Sequence, residues 1–141
     1  MTAPTLVQRL NAITSVREVA QLQELEAAVC LMDSDTLTES ECEAIYRLFE
    51  RFPDDDAFGA FFSLLHKLEA HNGYETELLK SVNRQATEFN IEMVARIIRG
   101  GTNVVNGTDL MSLLQHVAQS GETLPTSRKY AVETLIQLQA Q

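Results

Sequence analysis

Basic residues are scarce in this chain of 141 residues. Eleven Lys and Arg stand against 20 Asp and Glu, giving a formal charge of −9 and a pI near 4.7. Binding a phosphate backbone needs clustered cations that replace counterions, so this balance argues against direct nucleic-acid binding and for a basic partner. Three prolines and six glycines are too few for a fibrous or disordered chain, and the apolar 45% and charged 22% lie near globular averages. There is no run near the roughly 18 apolar residues of a membrane span, and Met1 to Leu10 lacks the basic-then-apolar pattern of a secretory signal. A cytoplasmic protein is expected. The two cysteines, Cys30 and Cys42, have no metal or redox spacing and read as small hydrophobes rather than a disulfide.

What is present is helical periodicity. Pro4 fits the first turn of a short helix with Leu6, Val7, Leu10 and Ile13 on one face. Ser15 and Glu18 have capping-box spacing ahead of Leu22, Leu25, Val29 and Met32, predicting a second helix over about 16–31. Thr38 and Glu41 open a third, burying Cys42, Ile45, Tyr46, Phe49 and Phe52, which Pro53 ends. Asp54, Asp55 and Asp56 suit the N-terminus of a fourth helix reaching about His71. A fifth is expected over about 74–87, and a sixth capped by Asn90 and closed by Gly100-Gly101. After a loop from Thr102 to Gly107, a seventh starts at Gly107 or Thr108 and an eighth near Pro125.

Expected starts near 39, 74 and 108, with partners near 56, 91 and 125, repeat about every 34–35 residues. The fold class predicted is all-α, a single domain over 1–141: a leading pair over 1–31, then three helical hairpins over 38–140. A compact helical bundle is the competing arrangement. Phe58, Phe61, Phe62, Leu64, Leu65 and Leu68 make the fourth helix apolar on nearly every side. If fully buried, Phe61, Phe62 and Leu65 would each cost about 2–5 kcal/mol on truncation to Ala.

No catalytic constellation stands out. His66 and His71 are five apart, about 500° of helical rotation, and do not share the face that a metal pair needs; His116 has no ligand-spaced neighbour. The loops opened by Asp33 and Asp54 carry Ala44 and Leu65 where an EF-hand needs its closing glutamate. Residues 100–107 have glycines but no following lysine, so a phosphate loop is not expected. The reading is a non-enzyme with no catalytic residue, metal or cofactor; an enzyme or enzyme subunit is the minority alternative.

The charge is uneven. Between Asp33 and Asp56 nine acids face only Arg47 and Arg51. Each has a bland role as a helix cap or solvated face. Together, Asp33, Asp35, Glu39, Glu43, Glu50, Asp54, Asp55 and Asp56 are the candidate partner-binding residues, a negative surface steering a basic protein into contact.

Phe52-Pro-Asp-Asp-Asp56 followed by Phe58-Gly-Ala-Phe-Phe-Ser-Leu-Leu-His-Lys-Leu-Glu69 carries a likeness, continued by Tyr74 to Leu79, Glu92 to Arg99 and Ala131 to Ile136. The run from Tyr46 to about Leu138 resembles the HEAT-like all-helical immunity proteins of bacterial polymorphic-toxin systems, the group called immunity protein thirty. The resemblance implies a right-handed superhelix of hairpins and a cytosolic antidote that binds a cognate toxin domain and blocks its active site or substrate approach. It brings no catalytic or binding residues. A helical-repeat scaffold or adaptor for another protein or peptide is the rival expectation. A homo-oligomer is possible but not predicted.

Overall fold

A computed structural model describes residues 4–140; residues 1–3, where the expected leading pair begins, and Gln141 lie outside the described residues. The fold is all-α. Among the described residues there are eight α-helices: α1 Leu6–Asn11, α2 Val19–Leu31, α3 Glu39–Arg51, α4 Ala60–Glu69, α5 Tyr74–Arg84, α6 Glu88–Arg99, α7 Leu110–Gln119 and α8 Pro125–Gln139. Two 3-10 turns, Ser34–Thr36 and Ala57–Gly59, precede α3 and α4. No described helix is long and apolar enough to cross a membrane.

Alternate helices pack on each other. α1, α3 and α5 form one row and α2, α4, α6 and α8 another, while α7 packs on α8 and α6. A single hydrophobic cluster runs between the rows from Leu10 to Leu135. Its middle is aromatic. Phe89 of α6 stacks on Phe49 of α3 at 5.3 Å between ring centres and meets Phe61 of α4 edge-on at 5.5 Å. Edge-to-face and offset contacts of this kind add to the stabilisation from burial alone.

Local chemistry explains where the helices start. Thr38 and Glu41 form the capping box, each side chain satisfying the other's backbone amide. Other starts differ from expectation. Pro4, expected in the first turn, lies before α1, and Thr5 caps the helix with Gln8 as its reciprocal partner. Ser15 accepts the amides of Arg17 and Glu18 in a tight turn, which delays α2 to Val19. Thr87 caps α6, and Asn90 is its reciprocal partner. Asp109 caps α7 through the Ser112 amide. α5 stops at Arg84, where Gln85 is drawn into an extended conformation by bonds to the Glu50 carbonyl and the Asn90 amide.

The largest correction concerns the fourth helix. Asp55 and Asp56 cap the 3-10 turn through the amides of Ala57 and Phe58 at 2.9 and 3.1 Å, and α4 begins only at Ala60. Ala57 and Phe58 both take positive φ, +51° and +53°, before Gly59 at +93°. Two consecutive non-glycine residues there cost of order 1–3 kcal/mol each unless their surroundings hold them. Phe58 is thereby turned outward, and it is 65% exposed.

The segment expected as a loop, 102–107, opens a β-hairpin that runs past the expected helix start at Gly107 or Thr108: β1 Val104–Val105 pairs antiparallel with β2 Thr108–Asp109, and α7 begins at Leu110. Asn106 and Gly107 make its two-residue turn at φ +50° and +78°, the conformation that Asn-Gly favours. The starts of α3, α5 and α7 lie 35 and 36 residues apart, but those of α4, α6 and α8 lie 28 and 37 apart. The 3-10 turn before α4 and the early cap at Thr87 break the expected regularity.

Phe61 is fully buried, whereas Phe62 is 50% exposed and touches the core only edge-on at Phe89. The expected burial of Phe62 is therefore corrected. Urea denaturation should show Phe61→Ala losing about 3–5 kcal/mol and Phe62→Ala only about 1–2 kcal/mol. Equal losses would contradict this placement.

Candidate docking surface

The structure divides the eight acidic candidates. Asp33, Asp35 and Glu39 lie at the N-terminal end of α3, and Asp54, Asp55 and Asp56 lie beyond its C-terminus. Thirteen residues at 1.5 Å each separate the two groups by about 20 Å. Glu39, Glu43 and Glu50 share one face of α3, their spacings of four and eleven residues returning within about 40°. The eight candidates therefore fall into separate groups along and beyond α3.

Several of these carboxylates hold the fold together. Glu50 receives Arg84 in a forked pair at 2.8 and 3.0 Å and the Ser81 hydroxyl at 2.8 Å, and its side chain is only 9% exposed. The hydrogen bond to Glu50 chiefly raises the Arg84 guanidinium above its ordinary value. Ser81 in turn accepts from the Asn90 amide at 3.0 Å, and both are fully buried. This chain fastens α3, α5 and α6 at the α5–α6 turn.

Asp55 binds Arg17 at 2.7 Å and the Ala57 amide. Desolvation pushes its carboxyl up, but that amide, Arg17 and the Asp56 amide outweigh it and hold the group below the usual carboxylate range. Asp54 accepts from Thr126 at 2.5 Å, tying the α3–α4 connection to the start of α8. Glu43 lies only loosely near Arg47 and Arg84, at 3.9 and 4.0 Å. Among the described residues, Asp33, Asp35, Glu39, Asp54 and Asp56 have no cation within ion-pair distance.

Exposed apolar groups lie elsewhere. Of the seven large hydrophobic side chains exposed among the described residues, Val19, Leu31, Phe58, Phe62, Val132 and Ile136 all belong to the α2–α4–α6–α8 row or to the turn that opens α4. Only Val104, in the hairpin, stands apart. Scattered exposed hydrophobics are ordinary, but here six of the seven gather on one row and its opening turn, and none lies on α1, α3 or α5.

Phe58 and Phe62 form the aromatic part of that surface, and both read as core from the sequence alone. The Arg17 guanidinium sits 5.1 Å from the centre of the Phe58 ring. Phe62 leans on Phe89 at 4.9 Å. Next to Phe89, Glu88 adds a carboxylate that the sequence did not single out. Partial desolvation, then the charges of Asp54, Asp56 and Glu92, raise its carboxyl above the ordinary value, so the four acids are close enough to repel. Its position directly after the Thr87 cap was a readable signal for a first-turn acid, but its proximity to Asp54 and Asp56 depends on the packing of α6 beside α4.

Among the described residues no three His, Cys, Asp or Glu side chains converge on a metal position. His66 is exposed beside Glu69, and His71 Nδ1 bonds the Ser34 carbonyl at 2.9 Å. Burial, then Glu77, Glu41 and Glu39, push the Cys42 thiol up to about 11, so it stays protonated near neutrality. Comparison with protein-family models, with curated proteins and with solved structures finds no match for this chain.

Opposite outcomes should separate the two kinds of carboxylate. Glu50→Ala removes the acceptor of the forked Arg84 pair and of the Ser81 hydroxyl and should cost about 2–4 kcal/mol. Glu88→Gln should raise the melting temperature modestly at pH 7. A raised folded-state pKa means that ionised Glu88 opposes folding above that pKa, and this penalty vanishes below the ordinary carboxylate value. Thermal scans from pH 7 to about pH 3 should therefore show the Glu88→Gln gain disappear on acidification.

Proposed function

We propose that this protein is an immunity protein: a cytoplasmic antidote that binds a toxin domain one-to-one and covers its active site or the approach of its substrate. The observation that carries the reading is the pairing of two exposed aromatic side chains, Phe58 and Phe62, with the carboxylates of Asp54, Asp56 and Glu88, which no cation neutralises among the described residues. Desolvated aromatics are the usual anchors of tight interfaces, and surrounding charge steers encounter and excludes wrong partners.

The net charge of −9 supports a basic partner, and basic nucleases are one such class. The all-α architecture and the likeness of Phe52 to Glu69 to the immunity proteins support the toxin as that partner. On this reading the stacked helices are a HEAT-like superhelix, and inhibition is steric, so no residue of this chain needs to react.

A second reading, a scaffold or adaptor, draws on the spread of exposed apolar residues from Val19 on α2 to Ile136 on α8. A long surface of that kind suits an extended partner segment.

Co-expression decides between them. If the gene lies beside one for a secreted toxin, expressing that toxin domain in a sensitive host should stop growth, and this chain should restore it. A soluble, folded chain that leaves growth arrested would count against the immunity reading. Association with the toxin domain should also slow steeply as salt rises.

A further inference from the structure

The partner-binding reading leaves open where contact begins, and one groove has the chemistry to receive a defined side chain. Between α2 and the turn that opens α4 lies an open groove of about 410 Å3, lined by Glu26, Val29, Cys30, Phe58, Gly59, Ala60 and Ser63. We propose that this groove is where an arginine or lysine side chain of a basic partner protein docks. The proposal rests on the binding function above and names its point of entry.

Each wall matches part of such a side chain. Val29 and Ala60 are buried apolar residues that offer contact to its methylenes, while a charged head remains near water. Phe58 supplies an exposed ring for the cation. Glu26 stands at the rim, exposed and without an ion pair among the described residues, and the Ser63 hydroxyl adds a hydrogen-bond acceptor. The protein already demonstrates the preference internally. Arg17 places its guanidinium over the same ring while its Nε bonds Asp55.

Charge complementarity excludes the other occupants. An anionic group would meet Glu26 and, bonded to the Phe58 amide, Asp56, neither of which has an ion pair among the described residues, and a purely apolar side chain would leave Glu26 desolvated without a counter-charge. The positive φ of Ala57 and Phe58 holds the ring outward before anything binds, which lowers the ordering cost of docking.

Cys30 makes the groove measurable. It is exposed at the groove wall, whereas Cys42 is buried, so alkylation of the folded chain by iodoacetamide reports on Cys30. A short oligo-arginine peptide, at physiological ionic strength, should slow that alkylation saturably, and an oligo-glutamate peptide should not.

Phe58→Ala and Glu26→Lys, each compared with its own peptide-free rate, should raise the half-protecting concentration about threefold. The double variant Glu39→Lys with Glu43→Lys should change it by less than about twofold, because those residues lie on the other row. The proposal is overturned if the peptide fails to slow alkylation of the wild-type chain. It is equally overturned if Phe58→Ala and Glu26→Lys are protected like the wild type, or if only the Glu39 and Glu43 variant loses protection. A chain that rescues growth without peptide protection refutes the groove and keeps the immunity function. Protection without rescue does the reverse.

Discussion

Phe89 is the residue on which both the fold and the candidate surface depend. Its ring stacks on Phe49 and takes Phe61 and Phe62 edge-on, so one side chain from α6 touches α3 of one row and α4 of the other. The contact is graded from inside to outside. Phe49 and Phe61 are fully buried, Phe89 nearly so, and Phe62 is half in water. A partner that covered Phe62 would extend the core aromatic cluster by one layer without requiring the helices to move.

The polar link from Glu50 through Ser81 to Asn90 complements that aromatic contact. It fixes α3, α5 and α6 at the end where Gln85 leaves the helical conformation, and every buried polar group in it has a partner. A satisfied network of this kind specifies one arrangement of three helices, where apolar packing alone tolerates several. It also leaves the Glu50 side chain paired and only 9% exposed. Asp55 is held in the same way by Arg17 and the Ala57 amide. Acidity in the sequence therefore overstates the acidity that a partner would meet on α3, while Glu88 adds to the charge near Phe62.

Helices were legible where local chemistry decides them. Thr38 and Glu41 cap α3 as their spacing predicts, because both halves of that box lie within four residues. The same logic misplaced the cap of α6, since Thr87 and Asn90 are reciprocal and either reads as a cap until the backbone is seen. The Asn106-Gly107 turn was a hairpin signal, but two-residue strands leave too little alternation to betray it. Phe58 and Phe62 were not legible as surface. Aromatic residues in an apolar run read as core, and only the left-handed backbone at Ala57 and Phe58 turns the segment so that these two face outward. Whether Glu50 is free or paired was beyond the sequence too, because Arg84 lies 34 residues away and reaches it only through packing of α3 on α5.

The proposed contact lies on the α2–α4 side and not on the acidic face of α3. Backbone hydrogen exchange of the chain, free and bound to the proposed toxin partner, separates the two faces. Slower exchange in the complex is expected over residues 19–30 and 57–66. Protection confined to residues 33–47 would contradict it.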